Sequence, residues 1–233
     1  MKKFFGVKKD NSIILDGEEI THLAVLRCNI GDNVVCFTGD KFEYLCKIEH
    51  MSKRTAVCEI IEKRVCLANP SVNITLFQGL PKQDKLELIC QKLTELGILN
   101  VIPFESSFTV AKPNQNKFDR INKIIIEACK QCGRSIPLQL KQTIKFNEML
   151  GMLTEYDLVL FANETNKTIN SIKFEGYDNI AIIVGSEGGF SVEEIKALSS
   201  LKNVTQIGLG QRILRTETAS IVVCGLVSYL SKN

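Results

Sequence analysis

The chain has 233 residues, of which 45% are hydrophobic and 24% are charged. That length and composition allow one large core or two smaller ones. No apolar run approaches the length of a membrane span. The amino-terminal segment is polar again by Lys8-Lys9, which is unlike a secretory signal. Nine cysteines without framework spacing indicate small core residues in a reducing compartment, so we expect a cytoplasmic protein.

Positive charge is concentrated in residues 112–145. The net charge of the whole chain is only +3, yet this region holds eight basic residues against two acidic ones. A one-sided basic region is the footprint expected of a protein that binds a phosphate backbone. A solvated helix face would show the same excess, and charge alone does not separate the two explanations.

Residues 4–67 show a mainly β pattern. Short apolar runs alternate with turn signals, and one helical stripe interrupts them at 18–27. Several short strands joined by tight turns predict a small barrel. The basic pair Lys53-Arg54 suits a contact with nucleic acid, although acidic residues nearly balance the basic ones here. The barrel is therefore either an RNA-docking module or a structural cap.

The pattern changes after the linker-like Asn69-Pro70-Ser71. Strands at 72–77, 101–103, 156–161, 180–184 and 204–207 alternate with helices at 82–96, 118–132 and 219–230. A further helix begins at the capping box formed by Ser191 and Glu194. Alternating strands and helices predict an α/β domain with a largely parallel sheet.

Two polar loops directly follow apolar strands in this second region, at 185–189 and 207–219. Open α/β sheets bind ligands at such corners. The later loop begins like a dinucleotide fingerprint, but Ile213 stands where the third glycine belongs. The earlier loop lacks the ending of a P-loop, and its Glu187 suits a ligand with hydroxyls or positive charge, such as an adenosine-bearing sulfonium. An ordinary glycine turn stays open as the alternative.

Other kinds of chemistry find little support. Cys129 and Cys132 form a single pair on a helical pattern, whereas structural zinc needs four ligands, so we expect no metal site. His22 and His50 have no obvious nucleophile beside them, which argues against a hydrolase triad. Arginines within glycine-punctuated corners more often hold an anion or a planar acceptor. That description fits three residues: Arg134, Arg212 and Arg215.

Several blocks of the sequence, taken in order, match one known family. They are Val25-Leu26-Arg27 with Gly31-Asp32, then Lys92 to Gly97 running on to Ile102-Pro103, Glu127 to Arg134, Gly185 to Ser191, and Leu209 to Ala219. Together they resemble the bacterial RsmE-type methyltransferases of the SPOUT class, which methylate N3 of a uridine in 16S ribosomal RNA. The resemblance extends over nearly the whole chain.

This resemblance implies a PUA-like β-barrel at 1–68 that docks RNA, and a SPOUT methyltransferase domain at 72–233 whose carboxyl-terminal part forms a trefoil knot. It also implies a homodimer and a substrate in 16S rRNA or the small ribosomal subunit, in the decoding-region helix. S-adenosylmethionine would bind to three loops of the knot. In this chain the loops place the following residues at the cofactor: Phe161, Ala162, Asn163, Glu164, Val184, Gly185, Ser186, Glu187, Gly188, Gly189, Leu209, Gly210, Ile213, Leu214 and Thr216.

The same resemblance suggests which residues contact RNA and which act in the reaction. Uridine N3 must lose a proton, and a cationic arginine at O2 or O4 would stabilise the resulting anion. For this role we predict Arg134 and Arg215, with Glu217 as a base or orienting group. For RNA contacts we predict basic residues of the barrel and of the basic region: Arg27, Lys53, Arg54, Lys112, Lys123, Lys130 and Arg134.

Two positions depart from the family pattern. Ser186 stands where the family usually has proline, and Glu105-Ser106-Ser107 stands where the family tends to have an arginine after the glutamate. A non-catalytic RNA-binding protein that kept the fold is the rival interpretation, and absence of S-adenosylmethionine binding would favour it. A nucleotide-binding oxidoreductase is a third, but its fingerprint is missing.

Overall fold

The computed structural model describes residues 1–112, 115–163 and 172–231. They form two compact units, and the first break in the chain falls at Asn69, within the predicted linker. The first unit contains Met1–Asn69 and also Ile126–Pro137, which the sequence assigned to the second domain. Asn69 helps to hold 126–137 in the first unit. Its side-chain oxygen accepts hydrogen bonds from the backbone amides of Ser135 and Ile136, both at 3.0 Å.

The first unit is built on a curled six-stranded sheet. Its elements are β1 (Lys3–Phe5), β2 (Val7–Lys9), β3 (Ser12–Asp16), α1 (Glu18–Val25), β4 (Asn33–Phe37), β5 (Phe42–Met51) and β6 (Thr55–Val65). The strand order is β1-β4-β5-β6-β3-β2, and all pairs are antiparallel except β1 with β4.

One glycine closes this sheet. The strands β1 and β2 lie at opposite ends of the strand order, yet only Gly6 separates them along the chain. The sheet must therefore curl until its two edges meet, which confirms the predicted small barrel. A Cβ atom at Gly6 would lie 2.6 Å from Ile13 Cγ2 and from the carbonyl oxygen of Ile14. No larger residue fits at this corner.

The cysteines behave as the composition predicted. All nine are free, and all but Cys132 are buried. Cys36, Cys46 and Cys58 lie together in the barrel core beside Phe4 and Tyr44. Burial and the hydrogen bonds with its two neighbouring thiols raise the pKa of Cys36, the hydrogen bonds being the larger cause. These thiols therefore serve as small core residues.

The second unit contains a parallel sheet flanked by helices. Its elements are β7 (Asn73–Gly79), α2 (Lys85–Glu95), β8 (Asn100–Glu105), α3 (Gln115–Cys132), β9 (Gln139–Leu140), β10 (Ile144–Lys145), α4 (Phe146–Met152), a 3-10 turn (Leu153–Glu155), β11 (Leu158–Ala162), β12 (Asn179–Val184), α5 (Val192–Ser199), β13 (Val204–Ile207) and α6 (Thr216–Leu230). The last turns of α3, from Ile126, belong to the first unit.

The strand order β10-β8-β7-β12-β11-β13, with β9 also beside β8, is parallel throughout. This confirms the α/β class and places four neighbouring strand ends, those of β7, β12, β11 and β13, at one edge. Buried residues of these strands, among them Phe77, Phe161 and Ile183, form a core with Met149 and Leu198. The chain at 164–171 lies outside the described residues, so the trefoil knot stays a prediction.

Two local predictions can be compared with the structure directly. Ser191 caps α5 as expected, because its hydroxyl accepts from the amide of Glu194 while a Glu194 carboxylate oxygen accepts from the amide of Ser191. The prediction for the last helix was short by one turn, since α6 begins at Thr216 rather than at Ala219. Thr216 and Glu217 therefore lie on its first turn. Among the described residues, no helix is long and apolar enough to cross a membrane.

Candidate active site

A cavity of about 600 Å³ lies at the edge where β11, β12 and β13 end and α6 begins. This is the size of a small-molecule site. Thirteen of the fifteen predicted cofactor residues line it: Ala162, Asn163, Val184, Gly185, Ser186, Glu187, Gly188, Gly189, Leu209, Gly210, Ile213, Leu214 and Thr216. Phe161 is fully buried on β11 and does not line the cavity, and Glu164 lies outside the described residues.

A buried hydrogen-bond network holds the floor of this cavity together. The Gln78 side-chain amide donates to Thr216 Oγ1 at 2.9 Å, and the Thr216 hydroxyl donates to the carbonyl of Gly185 at 2.6 Å. The Ser220 hydroxyl donates to Gln78 Oε1 at 2.5 Å. These bonds connect the end of β7, the glycine loop at 185–189 and the first turns of α6. Buried polar groups that are fully paired fix one arrangement of the elements that bear them.

Two positions where β7 meets the glycine loop require glycine. A Cβ atom at Gly79 would lie 2.3 Å from the amide nitrogen of Ser186 and 2.7 Å from the carbonyl carbon of Gly185. Gly189 has φ 68°, and its amide donates to the carbonyl of Ser186 at 3.0 Å. The loop is therefore a tight turn pressed against the strand, with Ser186 in the position where the family usually has proline.

Two carboxylates at the cavity share one cation. Lys85, at the start of α2, lies 2.8 Å from a Glu187 oxygen and 3.4 Å from a Glu217 oxygen. The hydrogen bond to Glu187 raises the pKa of Lys85. Burial opposes ionisation of Glu187, but the hydrogen bonds from Lys85 and from the backbone amides of Glu187 and Lys82 outweigh it and lower its pKa. Glu187 is thus a charged carboxylate paired with Lys85 at the cavity, and its predicted contact with the cofactor stays a prediction.

Arg212 and Arg215 both line the cavity and are exposed. The guanidinium group of neither residue makes a hydrogen bond or an ion pair with any other residue that the structure describes. Two guanidinium groups at the mouth of the cavity, not committed to the described part of the protein, are available to a ligand. Arginine is suited to such recognition, since it holds its charge and presents a planar set of donors.

Arg134 and Lys130 are buried within the first unit, where both make polar contacts. Arg134 is buried; its Nε donates to the carbonyl of Ile136, and burial lowers its pKa. Lys130 is also buried, with its ammonium 2.8 Å from Glu19 and 2.5 Å from Glu127. These contacts help to hold 126–137 in the first unit. The predicted roles of both residues in catalysis or RNA binding stay predictions. The remaining predicted RNA contacts are exposed: Arg27, Lys53, Arg54, Lys112 and Lys123.

Sequence reasoning missed four residues that shape the cavity: Gln78, Gly79, Lys85 and Ser220. One signal was present, because Gln78 is a polar residue that directly follows the apolar Leu76 and Phe77 near the end of a strand. A polar side chain that is fully buried needs hydrogen-bond partners, and here they come from α6, 138 residues later in the chain. Nothing local in the sequence identifies that partner.

The fold and cavity define the class of the protein. Residues 68–228 match the model of the RNA methyltransferase domain, and residues 15–61 match the RNA methyltransferase PUA domain. Ribosomal RNA small subunit methyltransferase E of Bacillus subtilis (strain 168) is 33% identical, over 92% of this chain and 89% of its own. The protein of that name from Rickettsia conorii is 34% identical, over 90% and 85%. The chain therefore belongs to the ribosomal RNA small subunit methyltransferase E family, as its sequence blocks predicted.

Solved structures agree with this assignment. Ribosomal RNA small subunit methyltransferase E from Neisseria gonorrhoeae, bound to S-adenosyl methionine, matches with a TM-score of 0.88 at 25% identity, over 99% of this chain and 98% of its own. A methyltransferase from Legionella pneumophila, in complex with the same cofactor, matches with a TM-score of 0.87 at 28% identity, over 97% and 96%.

Proposed function

We propose that this protein transfers a methyl group from S-adenosylmethionine to N3 of one uridine in the decoding-region helix of 16S ribosomal RNA. The observation that supports it best is the cavity at the ends of β11, β12 and β13, which gathers thirteen of the residues that the family resemblance assigned to the cofactor. The substrate class follows from the family, whose members bear the name ribosomal RNA small subunit methyltransferase E.

The cavity suits this cofactor in size and in chemistry. Its wall combines the apolar side chains of Val184, Leu209 and Leu214 with the backbone of a glycine loop, which offers amides and carbonyls to an adenine and to a carboxylate. S-adenosylmethionine, when bound, supplies an electrophilic methyl group on a sulfonium. Phe161 supports the site from within the core, through an edge-to-face contact with Phe190 at 4.9 Å between ring centroids.

Arg215 is the residue to which we assign the stabilisation of the uridine anion. It lines the cavity, and its guanidinium makes no hydrogen bond or ion pair within the described part of the protein. A guanidinium beside O2 or O4 favours loss of the N3 proton and keeps the negative charge next to a positive one. Glu217 is the second residue of α6 and is positioned by Lys85. There it orients Lys85 or accepts a proton.

RNA binding needs more surface than the cavity. The barrel contributes the exposed Arg27, Lys53 and Arg54, and the second unit contributes Lys112 and Lys123. Phosphate contacts of this kind hold the RNA without reading its sequence. We propose that the protein acts as a homodimer in the cytoplasm, on 16S rRNA or on the small ribosomal subunit.

Mass spectrometry of 16S RNA from a deletion strain tests this function. We expect the loss of one N3-methyluridine, restored by the wild-type gene and not by the gene with Arg215→Ala. An unchanged modification pattern would contradict the proposal. Calorimetric titration of the purified protein with S-adenosylmethionine tests the rival interpretation, because a non-catalytic RNA-binding protein would show no binding even at millimolar cofactor.

A further inference from the structure

Phe108 is an exposed aromatic side chain beside the cofactor cavity. Of the phenylalanine and tyrosine residues that the structure describes, only Phe108 and Tyr229 are exposed, and Phe108 is 51% accessible. Isolated exposed apolar residues are common in proteins. Phe108 differs from such residues in its position beside the cavity and in the constrained turn that carries it.

Phe108 lies against the glycine loop that lines the cavity. A Cβ atom added to Gly188 would lie 2.6 Å from Phe108 Cβ and 3.3 Å from its carbonyl oxygen, so the backbone of Phe108 presses directly on the glycine loop. Gly188 lines the cavity. The contact is made at the base of the Phe108 side chain, which leaves the ring itself exposed.

The turn that bears Phe108 is held at both of its ends. The amide of Ser106 donates to Thr109 Oγ1 at 2.8 Å, and the amide of Thr109 donates to the carbonyl of Ser106 at 3.0 Å. The amide of Ser107 donates to Glu194 Oε1 at 2.8 Å. Glu194 is itself buried at the capped start of α5. The backbone of so constrained a turn loses little further freedom when the ring binds a ligand.

We propose that Phe108 is the stacking platform for the uridine presented to the cofactor, and this inference rests on the proposed function. A base removed from its helix loses its stacking partners, and an aromatic side chain replaces them in proteins that bind extruded or single-stranded bases. The platform also bears on the family departure at 106–107, because a ring three residues after Glu105 holds the base by stacking where a neighbouring arginine is missing.

Substitutions at one position separate stacking from loop support. Phe108→Leu keeps the Cβ and Cγ atoms that touch Gly188 but removes the ring, whereas Phe108→Tyr keeps the ring. Val110→Ala is the matched control, since Val110 lies two residues away on the same segment and is 71% exposed. Each variant is assayed for methyl transfer to small subunits from a deletion strain, for S-adenosylmethionine affinity by calorimetry, and for affinity toward a fluorescent uridine hexanucleotide.

We expect Phe108→Leu to lower kcat/KM and hexanucleotide affinity by about tenfold, within the range of about 5- to 150-fold that one base–aromatic stack provides. Phe108→Tyr and Val110→Ala should stay within about twofold of wild type, and cofactor affinity should be unchanged throughout. The inference is overturned if Phe108→Leu matches wild type in both assays, if Phe108→Tyr falls equally far, or if Phe108→Leu loses cofactor affinity or changes oligomeric state. A wild-type protein that does not methylate but binds the hexanucleotide through Phe108 would refute the proposed function alone.

Discussion

The shape of the cavity depends on the absence of a Cβ atom at Gly79. Its missing Cβ lets the end of β7 touch the backbone of Ser186, so a methyl group at this position must push the glycine loop away from the strand. Overpacking of this kind typically costs about 1–3 kcal/mol. Because the loop that moves lines the cavity, the substitution should affect ligand binding as well as stability.

We therefore predict that Gly79→Ala lowers the affinity for S-adenosylmethionine at least about tenfold and lowers Tm by about 2–4 °C for each kcal/mol lost. Gly151→Ala is the control, because a Cβ there meets nothing within 4 Å and lies inside α4. That change should leave binding intact. Calorimetry and thermal unfolding measure both effects, and normal cofactor affinity in Gly79→Ala would show that the contact is not needed.

A second residue-scale prediction concerns Arg215. Its exposed guanidinium lines the cavity and makes no hydrogen bond or ion pair with other described residues, so Arg215→Ala should leave the fold and Tm unchanged. Loss of one group that stabilises a developing anion typically lowers kcat about 100- to 1000-fold. Single-turnover methyl transfer, with cofactor affinity measured in parallel, checks this expectation.

Arg212→Ala distinguishes a specific role of Arg215 from a general effect of positive charge. Arg212 lies three residues earlier, on the same loop, and is equally exposed at the cavity. We expect a much smaller loss of kcat from that substitution. Near-normal turnover in Arg215→Ala, or equal losses in the two variants, would remove Arg215 from the catalytic role.

At the scale of elements, the site depends on how α6 starts. Thr216 is its first residue, and its hydroxyl both accepts from Gln78 and donates to Gly185. Replacing it with valine removes both bonds and leaves buried partners unsatisfied, which typically costs about 1–3 kcal/mol. Ser220 joins the same network through Gln78. The two hydroxyls should therefore not act independently.

We predict a coupling energy between Thr216 and Ser220. In a double-mutant cycle, Thr216→Val and Ser220→Ala should show an interaction of about 0.5–3 kcal/mol in the free energy of unfolding. Thr154→Val is the control, since Thr154 is exposed and its hydroxyl donates to the carbonyl of Gly151 three residues before it, and surface changes of this kind usually stay within about 0.5 kcal/mol. Additive losses from Thr216 and Ser220 would show that the network does not act as a unit.

Helix α6 shows how much of the fold could be predicted from the sequence. Periodicity located α6 because its apolar residues recur at helical spacing, but it placed the start at Ala219, after the polar residues. Thr216 and Glu217 are helical because the buried Thr216 hydroxyl finds partners in β7 and the glycine loop, and these are long-range contacts. Short elements such as β9, β10 and α4 were missed for a related reason, since two to seven residues contain too little periodicity to be recognised.

The candidate site was predictable in part for the opposite reason. Glycine loops after apolar strands are local features, and parallel strands bring their carboxyl ends to one edge, so the loops at 185–189 and 209–216 could be predicted to meet. Lys85 could not be included, because its ion pairs with Glu187 and Glu217 join residues more than 100 positions apart. Burial of Arg134 could not be predicted either, since it depends on the return of 126–137 to the first unit.

At the scale of the whole molecule, the outward side of α6 is a candidate contact surface for the homodimer that we propose. Val222, Leu226 and Tyr229 are exposed and are spaced four and three residues apart, which places them on one face of the helix. Leu88, on α2, is also exposed, and α2 packs against α6. An apolar face of this kind on a soluble domain usually marks a contact with another protein surface. We infer that it is the dimer contact that the family resemblance implies.

Leu226→Glu tests this contact, because a carboxylate in the centre of an apolar interface would be buried without a partner. The variant should sediment as a monomer at micromolar concentration where the wild type sediments as a dimer, while its circular dichroism stays native. Val192→Glu is the matched control, since Val192 is also apolar and exposed but lies at the first turn of α5, where a carboxylate is favourable. If Leu226→Glu stays dimeric, or Val192→Glu dissociates as well, α6 is not the interface. If the monomer also loses methyl transfer while keeping its fold, then the site requires the second copy.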